Sequence, residues 1–228
     1  MSVPLPRRLT AATGPAFVVL VLVGNSLTES VTPAASGSDA DDALATLEAH
    51  AASGTVHTGL ALELLAFLCL AVFSAHLIDL LRRRGALGTT GVLTAVAACW
   101  LLGVKVASGS PYLAGLAFHD QLTPEVALGL VGSNGASFVL AWLPYGLFVL
   151  TAAHALYTAG LVGRATRVAG SAVGTAGVGL ALLGAPDPVD ANPLGFLAGL
   201  LWLLVVGVRL VVSEHDRGPV PVPDRVAA

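Results

Sequence analysis

Charge is what this sequence has least of. Only 11% of its 228 residues are Asp, Glu, Lys or Arg, against roughly 25% in a soluble domain. A single lysine, Lys105, stands beside ten arginines, and the formal net charge is −3. That balance excludes a broad basic face, and with it nucleic acid as a partner. Cysteine is scarce too: Cys69 and Cys99 each lie alone inside an apolar run, with no CxxC and no Cys/His cluster. No zinc or redox motif is visible in them, and both read as buried, reduced thiols. Enzyme signatures are missing as well, with no Walker loop, GxGxxG, HExxH or GxSxG. No catalytic residue, metal or cofactor is therefore expected.

Apolar sequence fills the space. Hydrophobic residues make up 55% of the chain and the mean hydropathy is +0.83. The organising run covers residues 55–81, followed at once by Arg82, Arg83 and Arg84. As a helix it would be about 40 Å long, enough to cross a hydrocarbon layer of ~30 Å. Repeating the reading along the chain predicts six spans, at about 11–27, 55–81, 87–108, 136–162, 168–183 and 194–212. The fold class is thus all-α, a polytopic transmembrane helical bundle forming one domain over 1–213. Residues 214–228 are polar and proline-rich and read as a disordered tail. The first run follows Arg7 and Arg8 as a signal peptide would. Asn25-Ser26-Leu27-Thr28-Glu29 is a poor cleavage region, so it is read as an uncleaved span.

Between the spans, two short helices are expected on the outer face. One starts at Ser38, a capping residue, with Asp39, Asp41 and Asp42 complementing the positive end of its dipole. Leu44 and Leu47 would share a side. The other starts at Thr123-Pro124-Glu125, a cap followed by proline at the first helical position. It should stop at Gly132-Ser133-Asn134-Gly135, and both that stretch and Ser108-Gly109-Ser110 read as turns. The pattern span–outer helix–span occurs twice, a hint of duplicated hairpins of the sort found in transporters. Gly170 with Gly174, and Gly195 with Gly199, form GxxxG spacings that suit close packing within the molecule. Pro144 should kink the fourth span.

The arginines fall at the start, after spans two and four, and from the end of span six onward. The three proposed outer loops hold nine acids and no arginine. By the positive-inside rule both termini are expected in the cytoplasm of a bacterial plasma membrane.

The stretch LTPEVALGLVGSNGASFVLAWLPYGLFVL, residues 122–150, and the outer helix leading into span two resemble a group of uncharacterised six-span membrane proteins of actinobacteria. An arginine-dominated basic set with abundant Ala, Val, Leu and Gly suits such a GC-rich source. The resemblance implies the six-span layout. The group has no assigned activity, so it implies no site residue.

Ionisable groups inside a bilayer are costly and mark candidate sites. Glu63 lies about 12 Å inside the outer end of span two. Lys105 lies roughly 6 Å from the outer end of span three. Spans two and three are joined by a tight loop and should be neighbours, so the two can form an ion pair; alternatively Lys105 snorkels to the headgroups. His76 and His154 stand at comparable depth on different spans, within reach of a haem or metal role or of interhelical hydrogen bonds. Asp79 is placed to face the arginines. Around span two, Glu63 falls about 120° from His57 on the side opposite His76 and Asp79, which argues against a proton wire along that helix. The function expected is that of an integral membrane protein contacting lipid, a membrane protein partner or a second copy of itself. The alternative is a small proton- or ion-coupled transporter using Glu63, Lys105 and His154. The first predicts a packed, dry core around Glu63; the second predicts a water-reachable cavity there.

Overall fold

In hydrocarbon a backbone must satisfy its own polar groups, and the helix does so within one segment. The computed structural model describes residues 7–31, 39–183 and 194–216, and these contain helices and no strand. Seven α-helices follow one another: α1 Arg7–Glu29, α2 Ala40–Ala51, α3 Gly54–Arg83, α4 Thr89–Ala117, α5 Pro124–Thr158, α6 Arg164–Leu183 and α7 Leu194–Asp216, with a 3₁₀ turn at His119–Gln121 between α4 and α5. Among the described residues, all but α2 are long and apolar enough to cross a membrane. The chain is an all-α bundle with the makeup of a multi-pass membrane protein. Large apolar side chains such as Leu64, Leu68, Val96, Val106, Leu140 and Leu201 point outward, as lipid-facing positions do.

Around the bundle the spanning helices are ordered α1, α3, α4, α5, α6, α7 and back to α1. Glycine lets two of these seams close backbone to backbone. A Cβ on Gly59 of α3 would lie 2.7 Å from the Gly24 carbonyl oxygen of α1. One on Gly146 of α5 would lie 2.7 Å from the Gly174 carbonyl oxygen of α6. Gly170 takes the Trp202 ring and Gly199 the Tyr145 ring, so both GxxxG pairs are spent within the molecule. α3 and α4 are neighbours, as expected from their short loop, yet they meet far less extensively than α1 with α3 or α4 with α5.

α3 and α5 end alike. Gly85 (φ 66°) and Gly160 (φ 68°) adopt the left-handed conformation that glycine tolerates. The next amides reach back to the Leu81 and Leu156 carbonyls at 2.9 Å, closing Schellman caps. Arginines gather at this end of the bundle. Arg82 and Arg83 pair with Asp79 at 3.0 and 2.7 Å. Arg84 donates to the Ala159 carbonyl, Arg209 donates to Thr166 Oγ1, and Arg167 lies over the Tyr157 ring.

At the opposite end the expected layout needs correction. α4 does not stop near Ser108 but runs on through Ser108-Gly109-Ser110-Pro111 to Ala117. Likewise α5 passes unbroken through Gly132-Ser133-Asn134-Gly135, so the second outer helix is the beginning of the fourth spanning helix rather than a separate element. The serines are absorbed by hydroxyls turned back onto their own helices: Ser108 to the Lys105 carbonyl, Ser110 to Val106 and Ser133 to Leu130. The added turns are worth forming because they bury apolar surface beneath α2. Ala43 and Leu47 of α2 pack with Tyr112, Leu116 and Ala127 in a second small core. His50 of α2 hydrogen-bonds the Tyr112 hydroxyl. Asp39 caps α2 by accepting from the Asp41 amide. The expected cap Ser38, the loop at 186–193 and the tail from 217 lie outside the described residues, while 214–216 continue α7.

Candidate functional site

Ladders of i, i+3 and i, i+4 spacing from four helices converge below α2. Phe17, Val21, Asn25 and Glu29 step along one face of α1, and Glu63, Phe67 and Leu70 along one face of α3. Leu101 and Lys105 come from α4, and Ala141 and Tyr145, with Trp142 beside them, from α5. With Phe196 of α7 they enclose a cavity of about 160 Å³. At ~30 Å³ for each water that is room for about five. It spans from Leu70, buried in the core, to Glu29, exposed in the last turn of α1.

Glu63 and Lys105, paired in expectation, do share this cavity. Each acts on the other electrostatically, and Glu29 acts on Glu63 as a like charge. The depth expected for Lys105 is corrected by the longer α4. It sits twelve residues before Ala117, about 18 Å along the helix, instead of close to its end. Half-buried against the cavity, it is held by its position in the wall. The seam at Gly24 and Gly59 sets the other side, since the Glu63 Cγ lies where a Cβ on Gly24 would go, 2.8 Å away. Close approach of α1 is what turns Asn25 and Glu29 toward Glu63. Tyr145 donates its hydroxyl to the Phe196 carbonyl at 3.4 Å, and the two rings stand 5.5 Å apart.

The remaining candidates lie elsewhere. His154 faces α6, where its Nε2 lies 3.4 Å from Ser171 Oγ, in an open groove with Arg167. It is not part of the cavity. His76 is buried, with its Nδ1 3.0 Å from Thr10 Oγ1 of α1. The two histidines therefore engage different helices, and no group of three or more His, Cys, Asp or Glu suited to a metal occurs among the described residues. Asp79 is clasped by Arg82 and Arg83. Cys69 is half-buried, and Cys99, expected inside, is exposed on the outward face of α4 with Val92, Val96 and Trp100.

Sequence reasoning missed Asn25, Glu29 and the rings. Ending the first span at Leu27 puts Glu29 in a loop, whereas α1 runs two residues further and ends at Glu29. The 17/21/25/29 spacing was a signal that could have found them. Compared with protein-family models, curated proteins and solved structures, the chain matches none.

Proposed function

We propose that this protein binds a small polar solute in the cavity around Glu63, as a carrier or coupled transporter of the bacterial plasma membrane. One observation carries the reading: two carboxylates and the chain's lysine line a space inside the bundle instead of being packed away. Holding Glu63 and Lys105 half-buried beside an unfilled space, with Glu29 exposed at its rim, is costly for stability alone, and a scaffold would gain by filling it with apolar side chains. His154 drops out of the coupling set, which becomes Glu63, Lys105, Glu29, Asn25 and Tyr145. The arginine end is assigned to the cytoplasm together with both termini, following the positive-inside rule. The acidic end, with α2 and Glu29, then faces outward, and the solute enters there. The resemblance of residues 122–150 to six-span actinobacterial membrane proteins implies the same topology.

A scaffold contacting lipid or a partner is the competing reading, and cysteine accessibility separates the two. In a background with Cys69→Ala and Cys99→Ser, single Asn25→Cys, Phe67→Cys and Leu68→Cys variants are treated in intact cells with a membrane-impermeant, charged thiol reagent. Leu68 points outward on α3 and is 60% exposed. Reaction at positions 25 and 67 but not 68 supports a water-filled cavity open to the outside. Protection at 25 and 67 alike would overturn the proposal.

A further inference from the structure

The cavity wall carries a second kind of information besides charge. Phe17, Phe67, Trp142, Tyr145 and Phe196 line it, five of the chain's thirteen aromatic residues. They come from four helices, so no single amphipathic face accounts for their convergence. A simple inorganic cation or a proton needs oxygen ligands and water, and five rings would serve neither. An aliphatic ligand would be met as well by Leu and Val, which supply half of the buried hydrophobic residues. Aromatic faces become selective when the ligand is a cation too greasy to be strongly hydrated, because the negative face of the ring attracts the charge without having to donate a hydrogen bond.

The charges at the same site agree with this in sign and number. Glu29 and Glu63 bring two carboxylates and Lys105 one ammonium, a formal excess of one negative charge when all are ionised. One monovalent cation neutralises the site. A zwitterion would leave the excess in place, and an anion would double it. In size, a cavity of 160 Å³ accommodates a trimethylammonium head.

From this convergence we propose that the ligand is a small methylated ammonium cation, held by the aromatic wall with Glu29 and Glu63 as counter-charges. Lys105 keeps Glu63 compensated when the cavity holds only water, and Glu29, exposed at the rim, is the first charge an entering cation meets. This inference rests on the solute-binding reading and specifies its substrate class.

The test is calorimetric titration of the full chain in phosphatidylglycerol nanodiscs, a lipid free of choline. Tetramethylammonium and choline are the probes, with sodium, ammonium and glycine betaine as competitors. Expected is saturable binding of one cation per chain that neither sodium nor ammonium displaces at equal concentration. Phe67→Leu, which keeps apolar volume but removes the ring, should weaken binding roughly 5- to 30-fold. Glu29→Gln, at an exposed position where the fold tolerates the change, should weaken it about tenfold. Absence of saturable heat with both probes, equal displacement by sodium, or tighter binding of glycine betaine would each overturn the inference. The wild-type competition decides even where a variant fails to fold. Thiol accessibility at Asn25 and Phe67 reports separately on the cavity: if it persists while the methylated cations do not bind, the substrate class is wrong and the solute-binding reading stands.

Discussion

Glu63 and Asp79 are carboxylates on the same helix, sixteen residues apart, and they live under opposite regimes. Asp79 is matched locally: Arg82 and Arg83 follow it by three and four positions and close on it at 3.0 and 2.7 Å. The contacts form within the helix alone, near its end, with the Arg82 side chain 72% exposed and Asp79 half-buried. Glu63 has no basic residue within reach on its own helix. Its counter-charge comes from α4, and its surroundings from α1, α5 and α7. A charge satisfied by its own helix is a helix-end device. One that needs four other helices to make its surroundings tolerable belongs to a site.

The sharpest way to break that contrast is at the seam beside Glu63. Gly59→Leu would drive a side chain into the Gly24 carbonyl and Thr28 Oγ1, the latter 2.6 Å from the new Cβ. With backbone opposite, relaxation is limited, and a loss of about 3 kcal/mol is expected, read as a large drop in thermal unfolding temperature in detergent. Gly103→Ala on α4, where a Cβ meets nothing within 4 Å, should leave unfolding unchanged or slightly delayed. Equal effects from the two would mean that α1 and α3 are not in contact as described.

Next in size is the charge pair itself. Glu63→Gln and Lys105→Met each leave the other charge in the cavity, and the double variant removes both. A coupling of roughly 1–3 kcal/mol in a double-mutant cycle is expected, with the double variant more stable than the sum of the singles implies. Additive effects would show that the two do not compensate each other.

A smaller, pH-dependent effect separates α2 from the membrane helices. Burial holds the His50 imidazole below its ordinary value of about 6.5. The unfolded chain then binds the proton more readily than the folded one. This contribution to stability is therefore complete above about pH 6.5 and is lost as the pH falls toward the folded-state value. Unfolding followed between pH 7.5 and 5 should show the decline, and His50→Gln should flatten it at some cost at neutral pH. An unchanged slope in the variant would assign the decline to other groups.

Asp79→Asn should do least. An exposed ion pair is worth about 0–1 kcal/mol, and the shift in unfolding should vanish in high salt. A penalty as large as that of Glu63→Gln would erase the distinction between the two carboxylates.

Much of this molecule is legible in one dimension. Long apolar runs, arginine triplets and acid-rich loops follow from the cost of putting charge or bare backbone into hydrocarbon, and each is local in sequence. So six spanning helices, the Asp79 contacts and the start of α5 at Thr123-Pro124-Glu125 were all readable. The turns foreseen at Ser108-Gly109-Ser110 and Gly132-Ser133-Asn134-Gly135 were not turns. At the second, exposed residues simply continue α5 from Pro124 onward; at the first, local propensity, favouring a break, lost to burial of Tyr112 and Leu116 beneath Ala43 and Leu47, residues more than sixty positions away. That added helix is also why Lys105 lies deep along α4.

Sequence by itself determined the helices, their apolar lengths and the separation of charge between the two ends, because solvation acts on each segment independently. Only the tertiary structure decided that Asn25, Glu29, Glu63, Lys105 and five aromatic rings look into one space. That convergence depends on α1 closing against α3 at Gly24 and Gly59, a contact between distant segments whose energy no single segment contains.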